Sequence, residues 1–188
     1  FDAARCFGRA APLVVEIGSG TGGAILASAK VRPDWDHLAV EVYRPGVTKT
    51  ILRAARLGLT NLRVLSADAA CLLRTGLPDA SVREVRVFFP DPWPKLKHHK
   101  RRLVSASMVA DVTRVLEPGG AFRLATDWPD YADQMLRLVS AQPGLDNPHE
   151  GWAPRWDGRP VTTFERRGVH SHREIRDLVV LRGGRIMP

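Results

Sequence analysis

Residues 13–23 read LVVEIGSGTGG, a short apolar run that leads into a loop with glycine at positions 18, 20, 22 and 23. Its β-branched residues and its glycine end predict a buried strand over 13–18, and residues 23–30 predict a helix directly after the loop. A glycine-rich turn between a strand and a helix lets the backbone approach a ligand and points helix amides toward it. The stretch therefore predicts the first unit of an α/β fold, with a ligand at the loop.

The alternation of strand and helix continues along the chain. Further strands are predicted at 37–42, 62–68, 82–89 and 121–127, with helices at 47–58, 105–116 and 131–141. This order predicts right-handed crossovers and a mostly parallel sheet with helices on both faces. VTTFERRG (161–168) and IRDLVVLR (175–182) are separated by few residues, which predicts an antiparallel pair at the C-terminal end. We expect a Rossmann-like, seven-stranded α/β fold.

Composition limits the classes of function. At 188 residues with 44% hydrophobic content, residues 1–188 fit a single domain, and the net charge of +8 favours polyanionic partners. Cys6 and Cys71 form neither a metal-type spacing nor a secreted disulfide framework, so we expect a cytoplasmic protein without a metal. No apolar run reaches the roughly 20 residues of a membrane span. The chain lacks an initiating Met and reaches its first strand early, so we expect a natural N-terminal arm before residue 1.

Acidic residues mark the ends of the first strands. Glu41 ends the second predicted strand and is placed to accept hydrogen bonds from a ribose. Because Gly18, Gly20 and Gly23 also satisfy the dinucleotide fingerprint, an NAD-dependent dehydrogenase stays open. Glu16 and Asp68, which ends the third strand, favour S-adenosylmethionine, whose amino and sulfonium groups are cationic. The alternative for Glu16 is a charge beneath a helix N-terminus.

A second stretch, FFPDPWPKLKHHKRRL (88–103), begins where the fourth strand ends. Asp91 therefore falls at the carboxyl edge of the sheet, where open α/β sheets bind ligands. Three prolines fix their own φ and push the residues before them out of helical conformations, which holds the carboxylate still. The basic run after it predicts a track for phosphates, made of Lys97, Lys100, Arg101 and Arg102.

The chain resembles the bacterial tRNA (guanine-N7)-methyltransferase family, of the class I S-adenosylmethionine-dependent fold. The resemblance rests on LVVEIGSGTG, EVYRPGV, FFPDPWPKLKHHKRRL, ATDW and TTFERRG, in that order over nearly the whole chain. It implies methyl transfer to N7 of guanine 46 in the variable loop of tRNA, by a monomer or a homodimer.

The resemblance also implies roles for individual residues. It makes Asp91 the catalytic residue and assigns the cofactor or its neighbourhood to Glu16, Gly18, Gly20, Glu41, Asp68 and Asp91. It implies substrate contacts from Lys95, Asp127, Thr162, Thr163, Phe164 and Glu165. The family usually has Lys where Thr163 stands, and Gly-His where this chain has His172 and Arg173.

The chemistry of the base agrees with a carboxylate that is not a proton acceptor. N7 of guanine has an in-plane lone pair and no proton to lose, so placement and electrostatics must lower the barrier. Asp91 can accept hydrogen bonds from the N1 and N2 protons and stabilise the positive charge that develops on the ring. Trp93 either stacks on the extruded base or packs on the neighbouring prolines.

Three further alternatives stay open. Asp127 either joins Asp91 at the base or caps the helix that starts near Pro129. Glu165 and Arg166, in a predicted strand, either face the same site or pair on an exposed surface. Asp-Pro-Trp-Pro is similar to the motifs of exocyclic-amine methyltransferases, although the basic run argues against that reaction.

Overall fold

The first glycine loop connects a buried strand to a helix, as its sequence predicts. The structure is a computed structural model that describes residues 1–183, so the last five residues of the predicted domain lie outside the described range. The strands are β1 (Leu13–Ile17), β2 (Asp36–Val40), β3 (Leu62–Leu65), β4 (Val82–Phe88), β5 (Leu116–Thr126), β6 (Leu145–Asp146) and β7 (Arg176–Arg182).

The helices alternate with the first strands. They are α1 (Ala3–Phe7), α2 (Gly23–Val31), α3 (Arg44–Arg56), α4 (Ala69–Cys71), α5 (Ala106–Val115), α6 (Pro129–Ser140) and α7 (Thr163–His170). A π-helical turn (Leu72–Gly76) continues α4, and the basic run forms a 3₁₀ helix (Leu96–Arg101). No helix within residues 1–183 is long and apolar enough to cross a membrane.

The sheet has the order β3-β2-β1-β4-β5-β7-β6. Strands β1 to β5 are parallel, and β7 runs antiparallel to both β5 and β6. The predicted α/β fold and its antiparallel C-terminal pair are therefore confirmed. The chain leaves β1 toward β2 and β3 and returns to the other side of β1 as β4. Ligands bind at such a reversal of strand order, outside the carboxyl ends of the strands.

Apolar side chains cover both faces of the sheet. Val14 and Ala39 pack with Ile25 of α2 and Ala54 of α3 on one face. The opposite face packs against a larger set from α5 and α6, including Met108, Val112, Tyr131 and Met135. Buried on both faces, the central strands hold the loops at their carboxyl ends in fixed positions.

The prediction that residues 161–168 form a strand is wrong. These residues contribute helix α7, and β7 pairs instead with β5 and the two-residue β6. Thr162 caps the helix by accepting from the Glu165 amide, and the Glu165 carboxylate accepts in return from the Thr162 amide. This reciprocal capping box stabilises a helix start and outweighs the β propensity of Val161, Thr162 and Thr163.

Candidate active site

The glycine loop is open on one side and braced on the other. Gly18 and Gly20 have φ values of 69° and 56°, and a Cβ at either position would meet no atom within 4 Å. Glu41, directly after β2, accepts from the amides of Gly20 (2.7 Å), Val42 and Tyr43 (both 2.8 Å). A carboxylate has about four acceptor positions, so one remains for a ligand hydroxyl.

Gly46 supports the loop from α3, and sequence reasoning missed it. A Cβ on Gly46 would lie 2.4 Å from the carbonyl oxygen of Gly20, so only glycine permits this approach. Thr50, one turn later and buried, lies against Gly22. The sequence carries little signal for this role, because Pro45-Gly46 precedes the predicted helix 47–58 and is typical of an ordinary turn.

Glu16 is buried in β1 directly opposite the fully buried Arg86 of β4. Burial raises the pKa of Glu16 to about 7, although Arg86 and the Ile25 backbone amide at the start of α2 act in the opposite direction. Its Oε2 lies 3.9 Å from an Arg86 nitrogen and has no hydrogen-bond partner among residues 1–183. An unpartnered buried carboxylate oxygen beneath the glycine loop fits a cationic ligand, and the Ile25 amide shows that the helix N-terminus also acts on it.

Asp68 does not end β3, as the sequence predicted. The strand ends at Leu65, and Asp68 caps α4 by accepting from the Cys71 amide at 3.0 Å. The side chain stays exposed at the same edge of the sheet as Glu41. Its second carboxylate oxygen is available to a ligand there.

Asp91 lies in a strained loop after β4. The residues before two of the prolines, Phe89 and Trp93, have φ values of 52° and 44°. Left-handed backbone at such residues costs about 1 to 3 kcal/mol each and is concentrated at functional sites. Asp91 is exposed and lines a groove of about 300 Å³ together with Pro92, Trp93 and Pro94. Trp93 contacts His98 edge-on and lies under the guanidinium of Arg101, whose carbon is 4.9 Å from the ring centre.

The basic run divides into exposed and buried residues. Four side chains are exposed beside the groove, namely Lys95, Lys97, Lys100 and Arg101. Arg102 is only 5% exposed, and its Nε donates to the Pro92 carbonyl oxygen at 2.9 Å. Its assignment to the phosphate track is therefore wrong, because the 3₁₀ helix ends at Arg101 and the next residue turns inward.

Asp127, directly after β5, lies at the same edge of the sheet as the glycine loop and Asp91. The capping alternative is wrong, because Trp128 occupies the N-cap position of α6 without a side-chain bond. The Asp127 carboxylate instead accepts from Arg173 Nε at 2.7 Å. A Cβ on Gly168 of α7 would lie 2.9 Å from the Asp127 side chain, so this glycine lets α7 pack against the strand end.

Glu165 faces inward, whereas Thr163 and Phe164 are exposed. Its Oε1 accepts from Arg155 at 2.7 Å, and its Oε2 accepts from the fully buried Arg159 at 2.7 Å. Arg159 also donates two bonds to Asp177 of β7, at 2.7 and 2.9 Å. Burial raises the pKa of Asp177, an effect that Arg159 opposes. Glu165 therefore pairs, but inside the protein and not on an exposed surface: its partners are the partly exposed Arg155 and the buried Arg159, both from the loop before α7.

Arg159 connects the end of β4 with α7 and β7, and sequence reasoning missed it. Its guanidinium carbon lies 5.6 and 5.2 Å from the ring centres of Phe88 and Phe89, at the end of β4. Register aligns the strand ends that carry the other residues, since Ile17 pairs with Val40 and with Val87, and Phe88 pairs with Ala125. The glycine loop, Glu41, Asp91 and Asp127 thus share one edge of the sheet.

A family model and several relatives match nearly the whole chain. Residues 10–178 match a family described as "Putative methyltransferase". A relative from Nocardioides sp. named tRNA (guanine-N(7)-)-methyltransferase is 50% identical over 184 residues, which cover 98% of this chain and 73% of the relative. Relatives of the same name from Paracidovorax citrulli and Chromobacterium violaceum are 48% and 45% identical, each over 96% of this chain and over 73% and 80% of the relatives.

Solved structures share the fold at low sequence identity. The 16S rRNA methyltransferase KamB superposes with a TM-score of 0.70 at 22% identity, over 95% of this chain and 91% of that one. A SAM-dependent methyltransferase from Aquifex aeolicus gives 0.61 at 16% identity, over 97% and 90%.

Proposed function

The chain belongs to the tRNA (guanine-N(7)-)-methyltransferase family, and from this premise we propose that it methylates N7 of guanine 46 in the variable loop of tRNA. The methyl donor is S-adenosylmethionine. One observation carries the proposal: the open glycine loop after β1 and the Asp91 groove after β4 lie at the carboxyl ends of neighbouring strands. We place the reaction in the cytoplasm, where tRNA matures, and treat residues 1–183 as part of one catalytic domain.

The residues around the loop fit this donor. Gly18 and Gly20 leave open space where the ligand approaches, Glu41 keeps one acceptor position for a ribose hydroxyl, and Glu16 offers an unpartnered oxygen to an amino group. Asp68 supplies a further acceptor at the same edge. When bound, the donor supplies a methyl group on a positively charged sulfur. The cluster of carboxylates suits that cation better than it suits a pyrophosphate.

Asp91 places the guanine. Its carboxylate accepts from the N1 and N2 protons of guanine, which adenine cannot match, because adenine lacks a proton at N1 and an amine at C2. The N7 lone pair forms the new carbon–nitrogen bond as the bond from sulfur to carbon breaks, and no proton moves. The charge that leaves sulfur appears on the guanine ring, where the Asp91 carboxylate stabilises it.

The surface around Asp91 binds the tRNA. Lys95, Lys97, Lys100 and Arg101 lie exposed next to the groove and neutralise phosphates, and Trp93 offers a ring to the extruded base. We propose that Asp127 and the exposed Thr163 and Phe164 contact the tRNA from the opposite side. A direct contact from Glu165 requires Arg155, which is partly exposed, to release Oε1, whereas Arg159 can keep Oε2.

The test uses unmodified tRNA transcript and methyl-labelled donor, followed by identification of the modified nucleoside. N7-methylguanosine is expected, and label in an exocyclic amine would favour the alternative reaction. A transcript with 7-deazaguanine at position 46 is the matched control, because it keeps the N1 and N2 edge but has no N7 acceptor. Label transferred to that control would contradict the proposal, as would full activity on a transcript with adenine at position 46.

A further inference from the structure

We propose that Arg102 is a positioning residue, which holds the Asp91–Pro92 segment against α6 and acts on methyl transfer through Asp91. The inference rests on the proposed function. The density of positive charge around Arg102 favours a phosphate contact. The inference gives Arg102 a role inside the protein instead.

The guanidinium of Arg102 uses each of its three nitrogens. Nε donates to the Pro92 carbonyl oxygen at 2.9 Å, Nη1 to Gln134 Oε1 at 2.7 Å, and Nη2 to Asp130 Oδ2 at 2.5 Å. Its carbon lies 4.7 Å from the centre of the Tyr131 ring. Contacts with three residues of α6 and with one residue of the loop after β4 make Arg102 a bridge between these two elements.

Burial separates Arg102 from its basic neighbours. Its side chain is 2% exposed, so a phosphate cannot reach it without rearrangement of the loop. Burying a charged group is costly unless hydrogen bonds compensate it, and the contacts to Asp130, Gln134 and Pro92 provide them. Removal of the guanidinium leaves the Pro92 carbonyl without its donor.

The loop depends on an external donor. Pro90, Pro92 and Pro94 have no N–H group, so the loop has few donors with which to fix its own carbonyls. Within the described residues 1–183, segment 90–94 has a single hydrogen bond, which the Pro92 carbonyl oxygen accepts from Arg102. Phe89 and Trp93 border this segment in strained left-handed conformations, which persist only when their surroundings enforce them.

The experiment compares Arg102→Gln and Arg102→Lys with Arg101→Ala. Single-turnover rates at saturating donor and tRNA are measured together with the salt dependence of tRNA binding. Misplacement of the carboxylate by about 1 Å is expected to lower the rate of Arg102→Gln about 100-fold, with tRNA affinity and its salt slope unchanged. Arg102→Lys keeps one charged donor and should recover part of the rate. Arg101→Ala should instead lower the salt slope by about 0.7 to 0.9.

A double variant shows whether Arg102 acts through Asp91. In an Asp91→Asn background, Arg102→Gln should lower the rate by less than about threefold, because residues that act as one unit are not additive. Losses that multiply would overturn the positioning role. A reduced salt slope for Arg102→Gln would also overturn it, in favour of a phosphate contact.

A matched control separates positioning from stability alone. Arg9 donates two bonds to the buried Asp36, at 2.7 and 2.9 Å, at the opposite edge of the sheet. Arg9→Gln should lower the melting temperature without changing the single-turnover rate. If Arg102→Gln behaves in the same way, Arg102 is merely structural and the inference fails.

Two further measurements keep the test decisive. Should Arg102→Gln not fold, Asp130→Asn weakens the same anchor and is expected to lower the rate about tenfold at constant tRNA affinity; an unchanged rate would overturn the inference. Wild-type turnover is measured in parallel. An active wild type with an equally active Arg102→Gln overturns the positioning role alone, whereas an inactive wild type overturns the proposed function and this inference with it.

Discussion

At the scale of a single residue, the role proposed for Asp91 rests on its charge. N7 of guanine brings its own lone pair, so the carboxylate is needed where positive charge develops and not as a base. Asp91→Asn keeps the shape and one acceptor oxygen but removes that charge. We expect the single-turnover rate to fall by about 100- to 1,000-fold, or about 2.7 to 4 kcal/mol, while tRNA affinity falls much less.

The control for this prediction is Asp79→Asn. Asp79 is an aspartate with a 74% exposed side chain near the start of β4, at the opposite edge of the sheet. It should leave the rate unchanged. If Asp91→Asn lowered rate and tRNA affinity by the same factor, Asp91 would be a ground-state binding residue, and the account of charge stabilisation would be wrong.

Glu16 makes the stability of the fold depend on pH. Its pKa rises from 4.5 to about 7 in the folded protein because it is buried. A carboxyl group that keeps its proton more tightly when folded stabilises the fold at low pH, and that contribution is lost as the pH rises from 4.5 to 7. Glu16→Gln has no such titration. Relative to wild type, its free energy of unfolding should therefore increase by about 3 kcal/mol between pH 4.5 and pH 7.

Denaturant unfolding of both proteins at several pH values measures this difference. Burial lowers the pKa of His37 to about 4, so the contribution of His37 to the free energy of unfolding is lost as the pH falls from 6.5. This change has the opposite sign to that of Glu16. Because His37 is present in both proteins, its contribution cancels in the comparison. A difference that stays constant across this pH range would show that Glu16 is ionised in the free protein.

At the scale of elements, the proposed contact with the tRNA backbone is made by the 3₁₀ helix Leu96–Arg101. Lys97, Lys100 and Arg101 are exposed beside the groove, and each neutralised phosphate contributes about 0.7 to 0.9 to the salt slope. Replacing all three by Ala should lower the slope by about 2 to 3, with donor affinity unchanged. Titration of labelled tRNA at several salt concentrations measures it. A slope equal to that of wild type would mean that the run is only a solvated surface.

The same elements show where sequence reasoning reached its limit. The first five strands and helices α2, α3, α5 and α6 were predicted because their apolar runs are separated by glycine and proline signals, whereas α4 and the π-helical turn between β3 and β4 were not. The side-chain direction of Arg102 was not, because the pattern KRR gives no indication of which residue faces the core. Helix α7 was predictable in principle, since TTFE has the spacing of a capping box, but Val161, Thr162 and Thr163 also suit a strand.

The pairing of distant segments was also beyond the sequence. Arg159 contacts Phe88, Phe89, Glu165 and Asp177, and nothing in its local sequence shows that it is buried. Arg173 reaches Asp127 across 46 residues of chain. Such ion pairs depend on where β7 and the segment before it lie, and the antiparallel pairing of β7 with β5 fixes that position.

At the scale of the whole molecule, the fold gathers opposite charges at one edge. The net charge of +8 attracts a polyanion from a distance, whereas the carboxylates of Glu16, Glu41 and Asp91 lie where the parallel strands end. A basic surface around an acidic centre suits a tRNA that carries its phosphates outside the pocket and a donor that carries its cation inside. This separation follows from sheet topology, since the three carboxylates lie in or after three different strands, β1, β2 and β4.

The donor should therefore stabilise the entire fold, and the identity of the donor is the last prediction. S-adenosylmethionine at about 100 times its dissociation constant should raise the free energy of unfolding by about 2.7 kcal/mol. For a chain of this size that raises the melting temperature by about 5 to 10 °C, measurable by calorimetry. Glu41→Ala, which loses both a ligand acceptor and the brace on Gly20, should weaken donor binding by about 1 to 3 kcal/mol and shrink the rise. Glu117→Ala, at the opposite edge of the sheet, should keep it in full. A comparable rise with NADH and none with S-adenosylmethionine would contradict this prediction and favour the dehydrogenase alternative. The ligand must decide between the two functions, because the sequence of the glycine loop fits both.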